Sequence, residues 1–209
     1  MVDIEIKKIT KWQLYKILRK HKKWLLTKHC KKVKGEQANL SFTDLQGLDL
    51  SFMSLAYVNL EGADLRNTDL RGVNLAYANL AHTNLSESNL SNANMYHVKL
   101  YQANLSAAYM KNVRLNESDM LETNFYTANL SYSDLRYSNL RDANLEKANL
   151  NFADLYEANM NFANLQHADF CYAILTKTKK YQAILKETNF YGTILDTSKQ
   201  VSANNALES

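Results

Sequence analysis

The stretch Ala143-Asn144-Leu145-Glu146-Lys147-Ala148-Asn149-Leu150 holds one three-residue phrase twice, five residues apart. Moving outward from it, every multiple of five from Leu40 to Leu195 is large and apolar, with Lys180 the one exception. Those 32 positions carry 24 Leu, 4 Met, 3 Phe and Lys180. Two residues earlier runs a second column, Ala38 to Thr193, of Ala, Ser, Thr or Val, broken only by Leu48 and Met53. Between the columns stands Asn or Asp in 24 of the 32 repeats. The register never slips, so no loop is inserted between Leu40 and Leu195. Self-similarity at a fixed step is the mark of a repeat architecture.

A step of five fits neither a helix, at 3.6, nor a flat strand, at 2. It fits a short strand that turns a corner. Residues i−2 and i of such a strand share a face, so the small residue and the Leu both point inward. Residue i−1 points out, and i+1 and i+2 carry the chain round the bend. One coil alone cannot bury its apolar side, but stacked coils bury it against each other at about 4.8 Å per layer. Alternating small and large inward residues fill a narrow interior without strain. The residues therefore predict an all-β solenoid.

The repeats resemble the pentapeptide-repeat family, whose motif is A-(D/N)-L-x-x, over residues 38–195. That resemblance implies a right-handed quadrilateral parallel β-helix with four repeats per coil, hence about 8 coils and a rod of about 38 Å. It also implies a bacterial or phage-like protein that binds other proteins. Certain relatives, the quinolone-resistance members, are acidic rods that imitate duplex DNA before type II topoisomerases such as DNA gyrase. Some relatives dimerise through their C-terminal coils.

Charge divides the chain. Residues 1–34 hold 12 Lys/Arg against Asp3 and Glu5, a net of +10, whereas the remainder is at −6. A basic N-terminal cap over 1–35 is expected, with a boundary near Gly35, then the repeats over 36–197 and a polar tail over 198–209. Within the head, residues 10–28 read as a helix with Thr10 as N-cap. Leu14, Ile17, Leu18, His21 and Leu25 lie along one face, and Trp12 and Trp24 are the only tryptophans. Leu14, Ile17, Leu18, Trp24 and Leu25 would cover the first coil, as the open end of a solenoid requires. The alternative is a basic amphipathic helix lying on anionic membrane in the manner of an effector. The tail offers at most a short helix around Val201–Leu207.

No run of about 18 apolar residues occurs, which excludes a hydrophobic membrane-spanning helix from this sequence. The start, MVDIEIKKIT, lacks the apolar stretch of a signal peptide, and Cys30 and Cys171 lack metal or disulfide spacing. These features together suggest a reducing, cytoplasmic setting.

No nucleotide-binding, hydrolase or metalloprotease motif occurs. Grouped by twenty, His82, His97 and His167 fall on three different sides, so no metal cluster and no cofactor is expected. The Asn and Asp residues are expected to bond turn backbone rather than to act as acids or ligands. The chain is read as non-catalytic.

Two outward columns stand out as candidate interaction strips. One stacks Tyr57, Tyr77 and His97, with Tyr137 further along and Tyr96 and Tyr156 beside it; the other stacks Tyr132, Phe152 and Tyr172. Either is an aromatic ladder stabilising neighbouring strands or a protein-binding strip. Few basic residues accompany them, so direct nucleic-acid binding is not expected. Near the C-terminal end, Ile174, Ile184 and Ile194 occupy the Asn/Asp slot. With Phe190 they form a candidate end surface for a homodimer. Lys180 is expected to flip outward in a local bulge, because an unpaired buried ammonium is costly. The protein partner itself is not identifiable from the sequence.

Overall fold

The computed structural model describes residues 6–196. The tail over 198–209, with the short helix expected around Val201–Leu207, lies outside the described residues. Parallel bridges pair each outward residue with the one twenty further on, as in Asn104↔Asn124, Asn124↔Asn144 and Asn144↔Asn164. Twenty residues therefore make one coil, and a turn follows every fifth residue. The strands between turns are too short to register as more than single bridges, apart from β1 (Lys7–Lys8) and β2 (Thr43–Asp44).

The central repeat shows how each backbone donor is satisfied. Ala143 N–H donates to the Leu140 carbonyl across the turn (3.1 Å), and Asn144 N–H to Thr123 in the preceding coil (3.0 Å). Leu145 and Lys147 donate to Asn164 and Gln166 in the following coil (2.8 and 2.9 Å). That leaves Glu146 N–H, which donates to Asn144 Oδ1 (3.2 Å). The outward Asn or Asp thus supplies the one acceptor that the coil-to-coil ladder cannot provide. All 24 such residues make this bond.

Both inward columns form the core. Leu65, Leu105 and Leu145 are wholly buried, as are Phe125 and Phe170. Hydroxyls among the small residues are satisfied within it: Thr123 Oγ1 donates to the Leu100 carbonyl at 2.8 Å and Ser118 Oγ to Met95 at 2.9 Å. The corner residue i+2 has positive φ at every turn, as a type II turn demands. Only Gly47, Gly62, Gly72 and Gly192 meet that demand with glycine; 27 other residues, including Tyr132 and Phe152, are held there.

Helix α1 (Lys11–Thr27) begins at Thr10 with a capping box completed by Gln13. Leu14 and His21 are buried, and Ile9, Ile17 and Leu18 pack on the core. Gly35 (φ +82°) lets the chain leave the head; a Cβ there would lie 2.8 Å from the Trp24 amide and collide with the Lys20 carbonyl. The head is more than a helix. Strand β1, unforeseen in the sequence, pairs in parallel with β2, Lys7 against Thr43.

Lys180 corrects an expectation. No bulge forms: the turn pattern and the Asn159↔Lys179 bridge continue in register. Lys180 keeps the core-column place but is only half-buried, and its Nζ donates to Thr178 Oγ1 at 3.0 Å. It sits in the last described coil, where the core-column residues Leu185 and Phe190 are likewise not fully buried, and the backbone accommodates it without moving.

Candidate interaction surfaces

Corner side chains separated by twenty residues stand directly above one another, so their identities decide what each edge of the rod presents. Tyr132 and Phe152 stack with ring centres 4.9 Å apart, and Phe152 and Tyr172 at 5.1 Å. All three are about half exposed, at 50%, 47% and 48%. The rings lie parallel, 8° and 14° between planes, so their faces cover each other and only their edges meet solvent. At one end of the ladder Lys111 Nζ stands 5.1 Å from the Tyr132 ring centre. At the other the Tyr172 ring covers Gly192, 2.6 Å from where a Cβ would lie. The outer faces of the ladder are thus met by the Lys111 ammonium and by the Gly192 backbone. What remains is an edge of carbons and tyrosine hydroxyls suited to a protein surface.

The other strip divides in two. Tyr57 and Tyr77 stack at 4.8 Å, and Tyr77 meets His97 at 5.4 Å and Tyr96 edge-on at 5.3 Å. This group runs into the head: Trp24 contacts Tyr57 edge-on at 6.0 Å and His21 by stacking at 5.7 Å, while Lys28 Nζ lies 3.1 Å from the Tyr57 ring centre. It ties α1 to the coils. Tyr137 does not join it, because Glu117 intervenes, and pairs instead with Tyr156 at 5.5 Å. Leu25 is half-buried on the helix.

His21 is 1% exposed, and its Nδ1 accepts from the Ala38 amide at 3.1 Å. Burial pushes its pKa down, against an opposing contribution from the Ala56 carbonyl. The sequence placed His21 on the apolar face, but nothing in it signalled this bond across seventeen residues.

The charged columns are mixed in sign. Arg136 reaches both Asp134 (2.8 Å) and Asp154 (3.7 Å), and Lys177 reaches Glu157 (3.1 Å) and the Tyr156 hydroxyl (2.6 Å). The guanidinium of Arg71 holds Asp69 below the usual carboxylate range. Burial pushes Asp64 up, but the Arg66 side-chain and backbone hydrogen bonds and its charge together outweigh that and hold it low. His82 packs on Tyr101, His97 on Tyr77, and His167 Nδ1 lies 3.1 Å from Glu187. Among the described residues no group of three His, Cys, Asp or Glu is placed to hold a metal ion.

The C-terminal end exposes apolar surface. Ile184 is 48% and Ile194 53% exposed, and Leu185, a core-column residue, is 41% exposed. Ile174 is half-buried beneath Ile194, and Phe190 stacks on Phe170 at 5.5 Å.

A family model for pentapeptide repeats matches this chain in 8 copies, over residues 36–72, 69–106, 108–146, 123–161, 138–176 and 163–199. Among solved structures, the chain is similar to QnrB1, a plasmid-mediated fluoroquinolone resistance protein, in a trypsin-treated form. The two share 14% identity over 83% of this chain and 90% of that one, with a TM-score of 0.59, a likeness of fold. It is also similar to HetL, involved in heterocyst differentiation regulation, from the cyanobacterium Nostoc sp. strain PCC 7120, at 25% identity, 82% and 94% coverage and a TM-score of 0.42. Rfr23 from the cyanobacterium Cyanothece 51142 shares 36% identity over 55% of this chain and 60% of its own, with a TM-score of 0.23. Comparison with curated protein sequences gives no match.

Proposed function

Because this chain belongs to the pentapeptide-repeat family, with its right-handed β-helix solenoid, we propose that it is a non-catalytic scaffold that binds another protein along the rod. The observation that carries this reading is the closed Tyr132–Phe152–Tyr172 ladder. It is half exposed, rigid, and offers edges rather than ring faces. Rigid aromatic side chains favour protein interfaces because little conformational freedom is lost on contact. The filled core and the absence of inserted loops support a non-catalytic role, since catalysis needs unlike groups converging in a concave site. Helix α1 acts in this reading as the cap of the N-terminal end, and the free thiols of Cys30 and Cys171 suit a reducing cytoplasm.

Affinity capture from the native host with the intact rod tests the proposal. A partner lost on Tyr132→Ala/Tyr172→Ala, with the melting temperature retained, supports it; no specific partner counts against it. Mimicry of DNA before a type II topoisomerase is the alternative, and the likeness of fold to QnrB1 keeps it in view. It is disfavoured here because Arg66, Arg71 and Arg136 neutralise the carboxylates beside them. A mimic needs rows of uncompensated carboxylates. A gyrase supercoiling assay distinguishes the two readings. Association with anionic membrane through the basic head is tested by vesicle co-sedimentation with Trp12 and Trp24 fluorescence; no helix among the described residues is long and apolar enough to cross a membrane.

A further inference from the structure

Among the described residues, the N-terminal end of the tube is only half covered. Helix α1 closes one side of the first coil, where His21 meets Ala38 and Trp24 meets Tyr57, and β1 supplies partners along Thr43–Asp44. The side running from Gly47 to Ser54 is different. Here alone the small inward column carries Leu48 and Met53, both half-buried. An open groove of about 800 Å³ separates them from the helix, whose Leu14 and Leu18 form the opposite apolar wall. Lys11, Arg19 and Lys22 stand along it. The groove's one carboxylate, Asp49, is turned back on its own loop, accepting from the Ser51 amide at 3.0 Å.

The backbone along this edge is open as well. In the next coil, Asp69 N–H donates to the Leu48 carbonyl and Asn74 N–H to the Met53 carbonyl, each at 2.9 Å. The equivalent amides one coil earlier, at Asp49 and Ser54, find no carbonyl among the described residues. Unpaired groups along a strand edge are a template for another strand. The same edge already accepts one, since Lys7 N–H donates to the Phe42 carbonyl at 2.7 Å.

We propose that this groove docks an extended acidic segment of a partner protein. The segment follows the edge from Leu48 to Ser54, bending with it at the Ser51–Phe52 turn, pairs with the Asp49 and Ser54 amides, and lays apolar side chains against Leu48 and Met53. Main-chain pairing supplies the affinity and the apolar floor the specificity. Acidity follows from charge complementarity: the cations lining the groove belong to a head whose net charge is +10. Such a field steers carboxylates toward it. A bilayer suits the groove less well, because the unpaired Asp49 and Ser54 amides call for a partner strand. The inference rests on the reading of the chain as a protein-binding scaffold and assigns that scaffold a site and a partner chemistry.

The probe is a fluorescein-labelled octapeptide of alternating glutamate and leucine, titrated by anisotropy against the full chain. Its control has the same composition with the leucines grouped together. The alternating peptide is expected to bind and the grouped one to bind about tenfold more weakly. Arg19→Glu combined with Lys22→Glu is expected to weaken binding by about tenfold. Ser54→Pro removes an amide that pairs with no carbonyl among the described residues, so it should leave the melting temperature unchanged and weaken the peptide by a similar factor. Equal binding of both peptides, or full binding by Ser54→Pro, overturns the proposal. So does co-sedimentation with phosphatidylglycerol vesicles when neither peptide binds, which assigns the groove to lipid. A partner captured from the host and held equally well by Ser54→Pro would remove this site while leaving the scaffold reading intact.

Discussion

At the scale of single residues, the turn corners carry the most unusual chemistry. Positive φ disfavours any side chain with a Cβ, by roughly 1–2 kcal/mol. Even so, Tyr132, Phe152 and Tyr172 are held there, and so is Ala107 (φ 56°). The aromatic corners recover part of that cost by stacking, at about 0.5–1.5 kcal/mol per pair. Ala107 is exposed and has no ring to stack on, so Ala107→Gly should stabilise the fold by about 1 kcal/mol, read as a higher urea midpoint at unchanged slope. The outward Asn residues make the opposite case. Asn124 accepts from the Tyr126 amide (3.1 Å), donates to Asn104 (3.1 Å) and accepts from Asn144 (3.0 Å). Asn124→Ala should therefore cost about 1–3 kcal/mol in the same measurement, because the Tyr126 amide keeps no acceptor.

At the scale of elements, α1 and the first coil form one unit joined through His21. Its folded pKa lies below the ordinary value of 6.5, so the unfolded chain takes up the proton first as pH falls. Stability from this group is complete above about pH 6.5 and is lost below it, toward the lower folded value. The geometry agrees, since a proton on Nδ1 would oppose the Ala38 amide that now donates to it. Thermal melts at about pH 7.5 and about pH 5.5 should show the wild type losing stability across that interval. His21→Leu should be less stable at both values but flatter between them; an equal drop in the variant would assign the effect elsewhere.

At the scale of the whole molecule, the two ends of the rod differ. The first coil carries α1 and β1, whereas the last coil leaves Ile184, Leu185 and Ile194 exposed among the described residues. We predict that these C-terminal ends pair with each other, which closes a two-fold dimer rather than extending a head-to-tail filament. Light scattering should then give twice the chain mass for the wild type and the single chain mass for Ile184→Asp/Ile194→Asp. A wild-type monomer, or a dimer indifferent to both changes, would discard this end as the interface.

Much of this was legible beforehand, for a physical reason. A five-residue step with two inward side chains closes only as a stacked tube, so the repeat itself places Leu145 in the core and Asn144 at the turn. The N-cap at Thr10 is likewise a local signal. The positive φ at the corners was hidden, because only four glycines mark a requirement that the turn imposes everywhere. Strand β1, the bond from Ala38 to His21, and the retention of Lys180 in register depend on which segments meet across coils. The sequence by itself determined the solenoid and its filling, since a repeat repeats its own environment. Only the tertiary structure decided what happens at the ends, where the repeat stops and each residue takes its surroundings from distant parts of the chain.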